Sequence, residues 1–196
     1  MQQGIIVLMN GTSSSGKTSI SMELMNQKEI PFHHLSIDAF FGNYNDFIDN
    51  NFPDIEPTRE VDDVGKILFD PINSVYYATI KLFSEMGLNV IVDTVIDNDK
   101  RFNDCLDVLF GHPTLFVGVL CSKEELTRRE QIRGDRQIGL ANSQYDQIYS
   151  FNEYDLTVNT EALSPTESAE KILGFIKSGQ EYSVFKKLSK RNISVS

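Results

Sequence analysis

The stretch IIVLMNGTSSSGKTSISMEL, residues 5 to 24, constrains the fold of this chain more than any other. An apolar run over residues 5 to 10 leads directly into a loop of glycine and serine. The segment after the loop has apolar residues at helical spacing, namely Ile20, Leu24 and Met25. The sequence therefore predicts a strand, a tight loop and a helix in direct succession.

The loop fits a pattern of two glycines that flank four residues, followed by Lys and then Ser or Thr. Glycine lets the backbone curl so that successive N–H groups point at phosphate oxygens, and the following helix adds the positive end of its dipole. Lys17 is expected to reach the outer phosphates, and Thr18 to ligate magnesium. A Ser/Gly turn that only caps a helix is the alternative, which the flanking strand and helix patterns disfavour. We predict that a nucleoside triphosphate is bound by Gly11, Thr12, Ser13, Ser14, Ser15, Gly16, Lys17, Thr18 and Ser19.

Further strands alternate with helical patterns along the chain. The strand-like segments are FHHLSID (32 to 38), NVIVDTV (89 to 95), TLFVGVLC (114 to 121) and YDLTVNT (154 to 160). Helices are predicted over residues 17 to 28, 72 to 86, 99 to 110, 122 to 132, 142 to 151 and 165 to 178. Nearly continuous apolar runs indicate strands that are covered on both faces. We predict a single-domain α/β P-loop NTPase fold, with a mostly parallel sheet flanked by helices on both faces.

The composition excludes some classes of partner. The chain of 196 residues has a formal net charge of −10, whereas affinity for a nucleic-acid backbone needs clustered Lys and Arg. No apolar stretch approaches membrane-spanning length and no signal-like segment precedes the first strand, so we expect a cytoplasmic protein that binds neither nucleic acid nor membrane. Cys105 and Cys121 lie in apolar segments and are expected to be buried thiols.

Two carboxylates are expected at the carboxyl ends of neighbouring strands, beside the phosphate loop. Asp93 follows three apolar residues, a position typical of the carboxylate that orients magnesium or its waters. Asp38, at the end of the preceding strand, is placed to accept a proton from a substrate hydroxyl. For each of them the alternative is an Asp that only caps the next turn.

The segment TRREQIRGDR carries four arginines. Arg129, Arg133 and Arg136 share one helical face if the helix continues, although Gly134 indicates that it ends or bends there. Guanidinium groups suit phosphate binding because they stay charged and donate two parallel hydrogen bonds. The alternative is an exposed helix whose arginines pair with acidic neighbours, and we prefer it for Arg128.

Two segments interrupt the alternation of strands and helices. Residues 40 to 63 contain five aromatic and seven acidic residues against the single base Arg59. We predict a long irregular insertion, with residues 40 to 70 forming a lid over the substrate site. The alternative is an acidic surface segment that a few aromatic side chains anchor to the core. The kinase domain is expected to span residues 1 to 178, and the basic tail, residues 179 to 196, to be a solvated or frayed terminus.

A family resemblance rests on five segments in this order and spacing: NGTSSSGKTS, SIDAFF, VIVDTV, VGVLCSKEELTRREQIRGDR and YDLTVNTE. Together they resemble the chloramphenicol phosphotransferase family of phosphate-loop kinases, over roughly residues 4 to 178. The most distinctive piece is the apolar strand that leads into a Cys, an E-x-x-x-R-E helix and R-G-D-R. The chain departs from the family in having Tyr149 where the resemblance leads us to expect His.

The resemblance implies ATP and Mg²⁺ as ligands and a small-molecule hydroxyl as the phosphate acceptor. It implies a general base at Asp38 and places Asp93 near the reacting groups, where it would hold the metal together with Thr18. It also implies that Arg133 and Arg136 serve the nucleotide and its phosphates, so that Lys17 and Arg136 join Asp38 as catalytic residues.

We therefore expect an ATP-dependent small-molecule kinase, with chloramphenicol as one candidate acceptor. A nucleoside monophosphate kinase fits less well, because its anionic acceptor would lie beneath the acidic segment 40 to 63. A GTP-dependent switch is disfavoured because the chain has no Asn-Lys-x-Asp signature. A catalytically silent nucleotide-binding regulator is a further alternative, although the motif residues for catalysis are intact.

Overall fold

Five strands form one parallel sheet in the order β2-β3-β1-β4-β5. The computed structural model describes residues 2–51, 63–96, 98–134, 138–149 and 153–193. Every neighbouring pair of these strands is parallel, which confirms the predicted α/β fold. The strands are β1 (Ile6–Asn10), β2 (His33–Ser36), β3 (Val90–Thr94), β4 (Thr114–Leu120) and β5 (Leu156–Asn159).

Helices cover both faces of this sheet. Six of them match the predicted helices in place. Their ends differ by a few residues, except that the helix predicted over 72 to 86 begins nine residues earlier, at Asp63. Positions 150 and 151 of the predicted 142 to 151 helix lie outside the described residues. The helices are α1 (Lys17–Asn26), α2 (Ile37–Asn51), α3 (Asp63–Glu85), α4 (Asp99–Leu109), α5 (Lys123–Arg133), α6 (Leu140–Ile148), α7 (Pro165–Lys177) and α8 (Val184–Ile193).

The packing of the central strand β1 explains why apolar residues occupy successive positions in it and do not alternate with polar ones. Ile6 and Leu8 pack into the apolar cluster that α3, α4 and α8 complete on one face of the sheet. Val7 and Met9 pack into a second cluster, completed by α1 and α7 on the other face. All four side chains are fully buried, as expected for a parallel strand with helices on both sides.

The segment around Asp38 differs from its prediction. The strand ends at Ser36, and Asp38 lies in the first turn of α2 instead of at a strand end. The expected irregular insertion is helical up to Asn51, and α3 begins at Asp63; residues 52 to 62 lie outside the described part. Because Phe40 packs against Tyr76 with 5.3 Å between ring centroids, tertiary packing overrides the weak helix propensity of this Asn- and Asp-rich stretch.

The basic tail also differs from the expected solvated terminus. Its α8 buries Val184 and Phe185 in the same apolar cluster as α3 and α4. The carboxylate of Asp155 accepts hydrogen bonds from the backbone N–H groups of Ser183 at 2.8 Å and Val184 at 3.1 Å, which caps the start of this helix. No helix in the described part of the chain has the length and apolar character needed to cross a bilayer.

Candidate active site

The phosphate loop lies at the carboxyl end of β1 and has backbone geometry that only glycine satisfies easily at its two ends. Gly16, the N-cap residue directly before α1, has φ 97°, in the left-handed region. A Cβ on Gly11 would lie 2.7 Å from the carbonyl oxygen of Val119, so the close approach of β4 excludes a side chain there. The predicted strand, loop and helix are therefore confirmed as one continuous unit.

Lys17 is the first residue of α1, and its side chain folds back over the loop. Its Nζ donates hydrogen bonds to the carbonyl oxygens of Gly11 at 2.9 Å and Thr12 at 2.8 Å. The same Nζ lies 3.9 Å from Oδ1 of Asp93. Only 7% of the Lys17 side chain is exposed, so its charge is held at the mouth of the loop, largely shielded from solvent.

Thr18 and Asp93, the two predicted metal ligands, are in direct contact. Oγ1 of Thr18 donates a hydrogen bond of 2.7 Å to Oδ2 of Asp93. The register of the sheet brings this about, because Met9 on β1 pairs with Asp93 on β3 one residue before the strand leads into the loop. A hydroxyl beside a carboxylate is a pair of hard oxygen donors, so these residues fit Mg²⁺.

His34 lies on the other side of Asp93, with Nε2 3.9 Å from Oδ2 of that carboxylate. Burial lowers the pKa of His34, and the charge of Asp93 opposes that decrease only in part. The imidazole is therefore neutral near pH 7, and the contact is not an ion pair.

Two cavities meet at Lys17 and Thr18, which line both of them. The first cavity has a volume of about 300 Å³ and lies where the phosphate loop faces α5 and α7. Besides Lys17 and Thr18, its lining residues are Ser14, Gly16, Ser19, Ile20, Arg129, Arg133, Thr160, Leu163 and Pro165. The second, of about 200 Å³, contains Asp38 and Asp93; its other lining residues are Ser13, Ile37, Phe41, Val95, Arg101, Leu140 and Gln144.

The structure thus brings Asp38 and Asp93 together, although Asp38 comes from a helix. Ser36, two residues before Asp38, pairs with Asp93 across β2 and β3, which keeps the two acids at the same edge of the sheet. Of the predicted arginines, Arg133 lines the first cavity and Arg136 lies outside the described residues.

Arg129 holds the loop in place. Its guanidinium donates to the carbonyl oxygen of Thr160 at 2.8 Å, to the Thr160 hydroxyl at 3.1 Å and to the carbonyl oxygen of Ser14 at 3.4 Å. The Thr160 hydroxyl in turn donates to the carbonyl oxygen of Ser15 at 2.8 Å. Arg129 and Thr160 therefore join α5, the end of β5 and the phosphate loop, a role that the sequence patterns did not predict.

Arg128 behaves as expected for an exposed residue. It pairs with Glu125 one turn earlier, with Nε 2.6 Å from Oε2. Hydrogen bonds from Arg128 and then Arg129 lower the pKa of Glu125 to about 2. The interpretation of Arg128 as part of a solvated, ion-paired helix face is confirmed.

Glu130 is a second residue that sequence reasoning missed. Its side chain is fully buried, and its two carboxylate oxygens accept hydrogen bonds from the backbone N–H groups of Gly139 at 2.8 Å and Ala141 at 2.7 Å. The acid on α5 thus caps the start of α6 across the R-G-D-R segment. Gln144 on α6 accepts a hydrogen bond from the backbone N–H of Ser13 at 3.0 Å. By capping α6, Glu130 therefore also helps to position Gln144 against the phosphate loop.

Tyr149 occupies the position at which the family resemblance leads us to expect His, and its side chain connects two elements of the fold. Its hydroxyl donates to the carbonyl oxygen of Val119 at 2.7 Å. Burial raises the pKa of Tyr149, so the phenol stays protonated near neutral pH. The residue ties the end of α6 to β4.

Solved structures share this architecture. The APS kinase of Mycobacterium tuberculosis, in complex with AMPPNP and APS, has a TM-score of 0.59 at 16% identity over 90% of this chain and 99% of its own. The shikimate kinase of Acinetobacter baumannii has a TM-score of 0.61 at 14% identity, over 91% and 96%. At such identities the likeness shows the fold, which these kinases share.

Sequence comparison goes further than the fold. A Mycobacterium tuberculosis protein named "Putative O-phosphotransferase" is 30% identical over 207 residues, which span 99% of this chain and 92% of that protein. The family model described as chloramphenicol phosphotransferase-like protein matches residues 4–177. With a phosphate loop, an Asp93–Thr18 pair and a second acid in one cleft, the chain belongs to the chloramphenicol phosphotransferase-like family.

Proposed function

We propose that this phosphotransferase moves the γ-phosphate of ATP to a hydroxyl group of a small molecule. The observation that supports it best is the shared wall of the two cavities: Lys17 and Thr18 line both, so ATP on one side would present its outer phosphate to an acceptor on the other. Chloramphenicol is one candidate acceptor, because the family is described by that activity.

The roles of the residues follow from their positions. The acceptor oxygen attacks the γ-phosphorus, the bond from that phosphorus to the bridging oxygen of ADP breaks, and Asp38 accepts the proton of the hydroxyl. Lys17 exchanges its bonds to the loop carbonyls for bonds to phosphate oxygens and stabilises the charge that develops there. Thr18 and Asp93 would hold Mg²⁺, which would supply positive charge beside the phosphates.

The loop, the end of α5 and the residues that follow α5 supply the nucleotide site in this proposal. Backbone N–H groups of residues 11 to 19 would surround the phosphates. Ser14 and Ser15 each have a buried hydroxyl without a hydrogen-bond partner in the described part of the chain, as expected for groups that await a ligand. Arg133 and Arg136 would cover the nucleotide. The APS kinase neighbour, solved with AMPPNP, supports ATP as the donor.

An acceptor screen tests this proposal. ADP release is measured with ATP, Mg²⁺ and a panel of small hydroxylated compounds, chloramphenicol included, and products are checked by mass for a gained phosphate. The Lys17→Met variant is the matched control for contaminating kinases. Tight ATP binding without a phosphorylated product from any compound would instead support a nucleotide-binding regulator.

A further inference from the structure

We propose that His34 positions Asp93 for metal binding: its Nε2–H donates a hydrogen bond to the carboxylate and fixes the rotation in which Asp93 holds Mg²⁺. This inference rests on the proposed function and deepens it, because it concerns the pair Thr18 and Asp93 that would hold the metal. His34 is a positioning residue, since it lines neither of the two cavities and would act through Asp93.

The alternation of side chains along β2 separates two adjacent histidines. His33 points to the face of the sheet that α3 covers, where its ring lies edge-on to Phe83 with 5.3 Å between centroids. His34 therefore points to the opposite face, the one covered by α1. Because Ser36 pairs with Asp93 in the register of β2 and β3, His34 lies two residues earlier on the same face as that carboxylate. The strand thus brings one histidine, and not its neighbour, beside the predicted metal ligands.

The contact between His34 and Asp93 is close but incomplete. Nε2 lies 3.9 Å from Oδ2, beyond the range of a hydrogen bond. This nitrogen is buried and has no hydrogen-bond partner among the residues that the structure describes. Buried polar atoms are nearly always paired, and Oδ2 is the acceptor that a small rotation of the ring would reach. A closing movement of about 1 Å would complete the bond.

The two oxygens of Asp93 have different neighbours. Oδ1 faces Nζ of Lys17 at 3.9 Å, whereas Oδ2 accepts the hydrogen bond of Thr18 at 2.7 Å and lies beside His34. A carboxylate oxygen has two lone pairs, so Oδ2 can accept from His34 as well as from Thr18. Thr18 would itself bind the metal, so the imidazole is the support for Asp93 that is not also a proposed ligand.

The chemistry of imidazole suits this role. A neutral ring carries a single N–H, and a nearby carboxylate favours the tautomer in which the facing nitrogen holds the proton. Carboxylates that bind metals are commonly held by such a donor, and its loss weakens metal affinity by roughly 10- to 100-fold. The side chains of His34 and Asp93 are 15% and 7% exposed, so little water is available to replace the donor.

The test measures metal binding and not phosphate transfer. Mn²⁺ is titrated into protein with AMPPNP, free Mn²⁺ is followed by its EPR signal, and binding to the nucleotide alone is subtracted. His34→Phe keeps a ring and removes the donor, so the Mn²⁺ affinity should fall by roughly tenfold or more. His34→Gln, which retains an N–H donor, should recover most of the affinity. His33→Phe, on the opposite face of the same strand, is the matched control and should bind Mn²⁺ as wild type does.

A double-mutant cycle shows whether His34 acts through Asp93. In an Asp93→Asn background, His34→Phe should change the Mn²⁺ affinity by less than about twofold, because the carboxylate that it supports is gone. Thermal melting and the affinity for AMPPNP without metal report whether each variant folds. His34→Leu is the second donor-free variant if His34→Phe does not fold.

The outcomes separate this inference from the proposed function. Equal Mn²⁺ affinity of wild type and the donor-free variants would overturn it, even with a lower melting temperature, because packing alone would then explain His34. An equal loss in both backgrounds, or a His34→Gln variant as weak as His34→Phe, would overturn it too. If wild type bound Mn²⁺ no better than Asp93→Asn, the proposed metal site would fail and His34 with it. Failure of the acceptor screen alone would leave the metal measurements decisive for His34.

Discussion

The hydroxyl of Thr18 lies 2.7 Å from a carboxylate oxygen of Asp93, so the first turn of α1 is bonded to the end of β3 across the phosphate loop. The contact joins Thr18, the residue after Lys17, to Asp93, which lies 75 positions later in the chain. Both side chains present hard oxygen donors, so Thr18 and Asp93 would hold Mg²⁺ at this end of the sheet, with the Thr18 hydroxyl as a neutral ligand and the Asp93 carboxylate as a charged one.

This pair leads to a prediction about metal dependence. Asp93→Asn keeps the shape of the side chain and loses its charge, so we expect a higher Mg²⁺ concentration for half-maximal rate as well as a lower rate. Magnesium titrations of the steady-state rate measure both. If Asp93→Asn left the Mg²⁺ requirement untouched, the metal-organising role would belong elsewhere.

Asp38→Asn should have the complementary effect. The amide cannot accept the proton of the acceptor, so turnover is expected to fall by about 10² to 10⁴ while ATP affinity survives. Turnover and ATP affinity are measured separately on an identified acceptor. Full turnover would contradict the role of general base, and a strongly raised Mg²⁺ requirement would exchange the roles of Asp38 and Asp93.

Lys17→Met tests the phosphate loop. Methionine has a similar length but no charge, so the developing charge on the β- and γ-phosphates loses its closest ammonium and most of the transfer should disappear. Circular dichroism and thermal melting are expected to show an intact fold. A folded variant with wild-type turnover would disprove the assignment.

Arg133, the last residue of α5, and Arg136, which follows the helix in the chain, are predicted to differ from Arg128. Arg133→Ala and Arg136→Ala should each lower kcat/KM for ATP by roughly tenfold or more, the cost of a lost charge-assisted contact to phosphate. Arg128→Ala, whose guanidinium pairs with Glu125 on the surface, is the matched control and should have little effect. Small and equal effects of all three substitutions would indicate that these arginines are solvated and do not contact the nucleotide.

Glu130 is predicted to matter for stability. Glu130→Gln replaces one of two buried acceptor oxygens by a donor that faces a backbone N–H, which should cost about 1–3 kcal/mol in the free energy of unfolding. Glu124→Gln, at an exposed position on the same helix, should change stability by less than about 0.5 kcal/mol. Urea unfolding of both variants provides the comparison. Equal stabilities would show that the cap of α6 is dispensable.

The parts of the fold that the sequence predicts well are those in which local pattern and tertiary packing agree. The loop between β1 and α1 is recognisable because glycines, Lys17 and Thr18 follow one another in the chain. Asp93 is recognisable because its strand is apolar on both faces. The capping box of α7, in which Ser164 and Glu167 exchange hydrogen bonds, is equally local.

The parts that the sequence does not predict depend on contacts distant in the chain. Nothing in the spacing of Glu130 indicates that its carboxylate is buried against backbone N–H groups nine and eleven residues later. The start of α8 needs Asp155 as its cap, 28 residues before Ser183. Arg101 lies on a helix with no visible link to the loop, and only the fold brings it into the cavity of Asp38.

The shared wall between the two cavities has a consequence for inhibition. Because Lys17 and Thr18 line both cavities, the proposed donor and acceptor sites would lie on either side of the same two residues. A single molecule that joins an adenosine polyphosphate to an acceptor skeleton is then expected to occupy both sites, with its linker beside Lys17 and Thr18. Such a bisubstrate ligand pays the entropy of association once for two sets of contacts, and its affinity should exceed that of either half by several orders of magnitude.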